Sequence, residues 1–96
     1  MINKFEKIYI NKNALLENIK KKVSNNNLII EFEDDTNIDS KILDFFNSFV
    51  GISKKSIVII SNKLKNNRYL FSVVPTFQEA KDIIEIEEIE RLINEE

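Results

Sequence analysis

Residues 28–49 read LIIEFEDDTNIDSKILDFFNSF: an apolar run, an acidic stretch and a second apolar pattern. In the first run, the apolar residues at positions 28, 30 and 32 would share one face of a strand. In the second pattern, apolar residues recur at three- and four-residue steps, which predicts an amphipathic helix that opens near Thr36 or Asp39. These apolar residues are Ile42, Phe45, Phe46 and Phe49. A strand followed by a helix indicates a domain that mixes both kinds of element.

The segments on either side of this stretch extend the pattern. Residues 5–10 mix aromatic and β-branched side chains, which predicts a strand. Asn13 is placed to cap a short helix, whose apolar residues are Leu15, Leu16, Ile19 and Val23. Gly51 is the single glycine of the chain, and its place after Val50 predicts the left-handed residue that ends the central helix. Ile52 would then fold back against that helix.

The last third of the chain predicts two strands and a helix. Residues 57–60 form a continuous β-branched run, which is typical of a buried strand. Only residues 61–67 separate this run from a second strand over 68–74, so we expect the two strands to form an antiparallel hairpin. Pro75 ends the second strand, and Thr76 with Glu79 forms a capping box for a C-terminal helix.

The predicted order is therefore β-α-β-α-β-β-α, within a single domain over residues 1–96. This order predicts an α+β fold of two layers, with a four-stranded mixed sheet and the helices on one face.

The composition excludes several kinds of chemistry. None of the 96 residues is cysteine or histidine, which rules out disulfides, thiol nucleophiles, the Ser-His-Asp arrangement and imidazole metal sites. The carboxylates between Glu31 and Asp39 lack the spacing and central glycine of a calcium loop, so a solvated acidic rim is expected there. We expect a non-enzymatic protein without catalytic residues, metal or cofactor.

The distribution of apolar and charged residues bears on location and partners. The longest apolar run has four residues, and no signal peptide is visible, so we expect a cytoplasmic protein that does not bind a membrane. Residues 1–74 hold 12 basic and 8 acidic side chains, whereas residues 75–96 hold 2 and 8. The acidic C-terminal helix could therefore dock on a basic protein partner, pair with a second copy, or simply pack on its own sheet.

The stretch over residues 28–74 resembles the YggU family, small α/β proteins without an agreed biochemical role. The matching pieces are a strand (28–32), a polar loop (34–39), a helix (42–50), a turn (51–54), a strand (57–61) and a basic loop (63–68). The resemblance implies two strands joined by a long loop, then a helix, a hairpin and a helix. This chain departs from the family pattern where Asn62 replaces a glycine, Arg68 replaces a lysine, and Asn66 stands where a loop arginine is usual.

A second resemblance, to STAS domains, rests on the strand at 28–32 followed by Asn37-Ile38-Asp39-Ser40. Residues 76–80 are also similar to the start of the last STAS helix. This resemblance implies a regulatory protein that binds a protein partner and is switched by phosphorylation of Ser40. A STAS domain also has a helix between the strands that we place at 57–60 and 69–74, and the intervening segment is too short to supply one.

A basic segment follows the strand at 57–60 and suggests contact with nucleic acid. Its candidate binding residues are Lys63, Lys65, Asn67, Arg68 and Tyr69. Cations and an aromatic ring on a hairpin loop could follow a phosphate backbone in RNA or DNA. The alternative is an ordinary solvated hairpin tip.

Overall fold

The structure is a computed structural model that describes residues 5–65 and 69–94. Within these ranges the elements are β1 (Phe5–Ile10), α1 (Leu16–Lys22), β2 (Asn27–Phe32), α2 (Ser40–Ser53), β3 (Ile57–Ile60), β4 (Ser72–Val74) and α3 (Phe77–Asn94). The predicted order of elements and the α+β class are confirmed. No helix in the described ranges has the length and apolar composition needed to cross a membrane.

The four strands form one sheet in the order β1-β2-β3-β4, and every neighbouring pair is parallel. The predicted mixed sheet and the predicted β3–β4 hairpin are therefore wrong. Val58 pairs with Ser72 and Ile60 with Val74, so the chain returns along β3 before β4 begins. Because β4 is so short, this return covers only about 10 Å, which a few extended residues can span without a crossover helix.

One face of the sheet is covered by α1, α2 and the β3–β4 connection. The buried residues of this first core include Ile19 of α1, Phe46 of α2 and Phe71 of the connection. Leu64 and Tyr69, also in the connection, pack against the same core. Connections between parallel strands are almost always right-handed. Because each strand of this sheet lies beside the preceding one on the same side, right-handed connections all cross the same face, and these three segments therefore cover one face.

The opposite face of the sheet is covered by α3. Ile29 and Val58 from the strands form a second buried core with Ala80 and Ile84 from α3. The prediction that all helices lie on one face is wrong, and the molecule has three layers. Both faces of a parallel sheet are apolar and must be covered, and α3 follows the last strand, so it is free to fold back on the open face.

The two ends of α2 differ in how well the sequence predicts them. Asp39 caps the helix, because its Oδ1 accepts a hydrogen bond from the Lys41 backbone amide at 2.9 Å. Gly51 instead lies inside the helix, and the left-handed residue that ends it is Lys54, with φ of 60°. The predicted cap at Gly51 is therefore wrong. Ile52 does not fold back against the helix, since it is 79% exposed.

The other helix starts show the same contrast. Half of the predicted capping box of α3 is confirmed, because the Glu79 backbone amide donates to Thr76 Oγ1 at 3.1 Å. The Glu79 carboxylate accepts from the Thr76 hydroxyl at 3.0 Å, whereas a full capping box has it accept from the Thr76 backbone amide. The predicted cap at Asn13 is wrong: α1 begins after Leu15, whose side chain makes no capping hydrogen bond.

Candidate functional site

The strands all end at the same edge of the sheet, which we call the carboxyl edge, and begin at the opposite amino edge. Because the sheet is parallel, the segments that follow β1, β2 and β3 leave from this one edge. Ligands of parallel α/β sheets bind outside the carboxyl ends of the strands. The carboxyl edge is therefore the first place to look for a site in this chain.

Hydrogen bonds join the three segments at the carboxyl edge. The Lys12 backbone amide, after β1, donates to Glu33 Oε1 at 2.9 Å. The Ser61 hydroxyl, after β3, donates to Asp35 Oδ2 at 2.8 Å, and the Asn62 amide donates to the same oxygen at 3.3 Å. The β2–α2 loop is thus held on both sides by its neighbours.

Within the β2–α2 loop, two further carboxylates bind backbone amides. Asp34 Oδ1 accepts from the Thr36 hydroxyl and from the Thr36 amide. These two hydrogen bonds, the hydroxyl bond first, lower the pKa of Asp34 from its ordinary value. Asp39 caps α2 through Lys41, as described above. The loop that leads into α2 is therefore joined by hydrogen bonds to itself and to its neighbours, and it is rich in carboxylates.

Ser40 is the first residue of α2, and its side chain is exposed at the carboxyl edge. A hollow of about 220 Å³ lies between the β1–α1 and β2–α2 loops, and Asp39, the residue before Ser40, is part of its lining. Leu15, Phe32 and Ile38 supply apolar surface to this hollow, and Asn13 supplies a polar rim. The carboxyl edge therefore carries an exposed serine one residue along the chain from a small hollow with both apolar and polar walls.

The acidic residues of this region do not form a metal site. Glu31 pairs with Lys7 at 3.1 Å, and the other carboxylates are engaged with the amides and hydroxyls described above. Within residues 5–65 and 69–94, no three carboxylate side chains are grouped so that they could hold a metal ion.

The predicted nucleic-acid residues fall on the β3–β4 connection. Lys63 and Lys65 are exposed, whereas Asn67 and Arg68 lie outside the described residues. Tyr69 is half-buried and stacks on Phe71, with ring centroids 4.6 Å apart and planes inclined by 14°. One face of this ring is therefore occupied within the protein, and the segment is not the tip of a β3–β4 hairpin. Contact with nucleic acid through these residues stays a prediction.

Sequence reasoning named Ser40 as a candidate but missed other features of the carboxyl edge. The pairing of Asp35 with Ser61 and the hollow between Leu15 and Ile38 were not predicted. Their signal was available in principle, because a parallel sheet brings the segments after successive strands to one edge. The side-chain partners themselves were not predictable, because Asp35 and Ser61 are 26 residues apart and no local pattern links them.

Comparisons with models of known families, with curated proteins and with solved structures find no match to this chain. The resemblances to the YggU family and to STAS domains therefore stay predictions.

Proposed function

We propose that this chain is a small non-enzymatic module that binds a protein partner at the carboxyl edge of its sheet. In this proposal, phosphorylation of Ser40 weakens the binding. The observation that carries the proposal is the position of Ser40, which is exposed at the start of α2 and directly follows Asp39, a residue that lines the hollow with Leu15 and Ile38. The similarity of residues 37–40 to the Ile-Asp-Ser segment of STAS domains supports the same assignment.

The small volume of the hollow favours a protein partner over a small-molecule substrate. Pockets that enclose small ligands have volumes of roughly 300–1,000 Å³, and this hollow has about 220 Å³. It suits one apolar side chain of a partner, with Asn13 at its rim. The hydrogen bonds from Lys12 and Ser61 hold the loop in place before binding, which lowers the entropy lost on association.

The electrostatics of the loop explain how a phosphate would act. A phosphoserine carries a charge of about −2 at neutral pH. The N-terminus of α2 would stabilise this charge, but the carboxylates of Asp34 and Asp39 lie in the same loop and would repel it. The modified edge would therefore be strongly acidic, and a partner that docks on the unmodified edge would be released.

A variant series at α2 tests this proposal. Ser40→Ala should retain a cross-linked protein partner when the chain is isolated from the cells that make it naturally, and Ser40→Asp should lose most of it. Ser48→Asp is the matched control, because Ser48 is also exposed on α2 but lies in its interior turns. Mass spectrometry of the wild-type chain should find phosphate on Ser40 and none on Ser48.

Two results would reject the proposal. One is the absence of phosphate from Ser40 together with equal partner recovery by the Ser40→Asp and Ser48→Asp variants. The other is tight binding of short mixed-sequence RNA at low salt that is lost when Lys63 and Lys65 are changed to glutamate. That result would establish the nucleic-acid function instead.

A further inference from the structure

The outer face of α3 carries an apolar stripe that no part of the described chain covers. Ile86, Ile89 and Ile93 are 52%, 53% and 66% exposed. At about 100° per residue, these side chains fall within about 60° of one another around the helix axis. They lie on the side opposite Ala80 and Ile84, which are fully buried against the sheet. Packing of α3 on its own sheet therefore leaves this stripe unexplained.

The spacing of the stripe is that of a helix–helix contact. The three isoleucines are separated by three and then four residues, which is the a-d-a pattern of a coiled-coil seam. The helix has the length for such a contact: its 18 residues span about 27 Å, whereas the four residues of β3 span about 13 Å. Because the stripe also faces away from the sheet, a second helix could lie along α3 without contacting the sheet.

The charges beside the stripe identify the kind of helix that fits. Glu85 and Glu90 flank the isoleucines on either side, Asp82 lies one turn before Ile86, and all three acidic side chains are exposed. The two basic side chains of α3 contact other groups of the protein. Lys81 lies over the Phe77 ring, with Nζ 5.1 Å from its centroid, and Arg91 pairs with Glu88 at 2.9 Å.

We propose that the outer face of α3 binds a basic amphipathic helix of a partner protein, with lysine or arginine flanking its own apolar seam. Complementary charges on either side of an apolar seam determine which helices pair. A second copy of this chain fits poorly, because Glu85 and Glu90 would meet the same glutamates across the seam. This surface is separate from the carboxyl edge and does not depend on Ser40.

A designed peptide provides the probe. It is a fluorescently labelled helix of about three heptads with leucine at a and d and lysine at e and g; a control peptide carries glutamate at e and g. Fluorescence anisotropy at low salt should detect binding of the basic peptide only, and binding should weaken as salt is added. Replacing Ile86, Ile89 and Ile93 together by serine should weaken binding about tenfold or more, because the buried apolar area is lost.

The controls separate this surface from the rest of the protein. Ile52→Ser changes an equally apolar and more exposed side chain on α2 and should leave peptide affinity unchanged. Ser40→Asp should also leave it unchanged, so that failure here and failure of the carboxyl-edge proposal are distinguishable. If circular dichroism shows that the triple serine variant loses helix content, a double variant with Glu85→Lys and Glu90→Lys replaces it. This double variant should also weaken binding of the basic peptide, because its lysines would repel those of the peptide.

Three outcomes would overturn the inference. The first is equal affinity of the basic peptide for the wild-type chain and the triple serine variant. The second is equal affinity of the wild-type chain for the basic and the acidic peptide. The third is sedimentation of the wild-type chain as a dimer that the triple serine variant dissociates, which would show that a second copy covers the stripe.

Discussion

Asn27 connects α3 to the sheet at the amino edge. Its Oδ1 accepts from the Ser56 amide at 2.8 Å and from Arg91 Nη2 at 3.3 Å, and its Nδ2 donates to Glu88 Oε2 at 2.7 Å. Its partners on α3 are 61 and 64 residues away, so no local pattern reveals them. The cap at Asp39 was predictable because its partner is only two residues away.

The contact between Asn27 and Glu88 makes the stability of the protein depend on pH. The Asn27 hydrogen bond, aided by Arg91, lowers the pKa of Glu88 below its ordinary value. A carboxyl with a lowered pKa stabilises the fold fully above its unfolded pKa, and this contribution is lost as the pH falls below about 4. We expect Glu88→Gln to lower the free energy of unfolding by about 1 kcal/mol at neutral pH, and the difference from wild type to shrink as the pH falls below the ordinary pKa of a glutamate towards the lowered pKa of Glu88.

Urea unfolding at several pH values measures this difference. Glu90→Gln is the control, because Glu90 is exposed on the same helix. A Glu88→Gln deficit that stays constant down to acidic pH would contradict the assignment.

At the scale of the elements, α2 ends three residues later than its glycine predicts. Gly51 has no positive φ and lies within the helix, whereas Lys54 adopts φ of 60°. A Cβ added at Gly51 would lie 3.6 Å from Leu70 Cδ1, an ordinary van der Waals contact. We therefore expect Gly51→Ala to raise the free energy of unfolding by about 0.5–1 kcal/mol, through helix propensity. Lys54→Gly should raise it by about 1 kcal/mol, because glycine tolerates the left-handed conformation.

Thermal and urea unfolding of the two variants check these signs. Destabilisation by Gly51→Ala would show that the glycine is the cap after all. The sequence could not decide between positions 51 and 54, because a lysine gives no local signal for the left-handed residue that ends a helix, whereas a glycine does.

For the whole molecule, hydrophobic periodicity predicted which segments are strands and helices but not how they are arranged. Residues 57–60 are apolar on both sides, and the structure uses both: Ile57 and Ile59 join the first core, and Val58 joins the second. A continuous apolar run of this kind indicates that both faces of the strand are buried. Strand direction was not predictable in the same way, because a β-branched run has the same pattern in parallel and antiparallel pairs. The hairpin was predicted because only residues 61–67 were expected between the two strands, whereas β4 begins at Ser72 and leaves a longer connection over 61–71.

The carboxyl-edge site depends on the parallel sheet, which brings the segments after β2 and β3 together. The most direct test is a nuclear Overhauser spectrum of isotopically labelled protein. The parallel arrangement predicts backbone contacts in the register Ile30 with Ile59 and Val58 with Ser72, together with contacts between Asp35 and Ser61. An antiparallel register between 57–60 and 69–74 would contradict the fold. An antiparallel register between 27–32 and 57–60, without the contact from Asp35 to Ser61, would contradict the site as well.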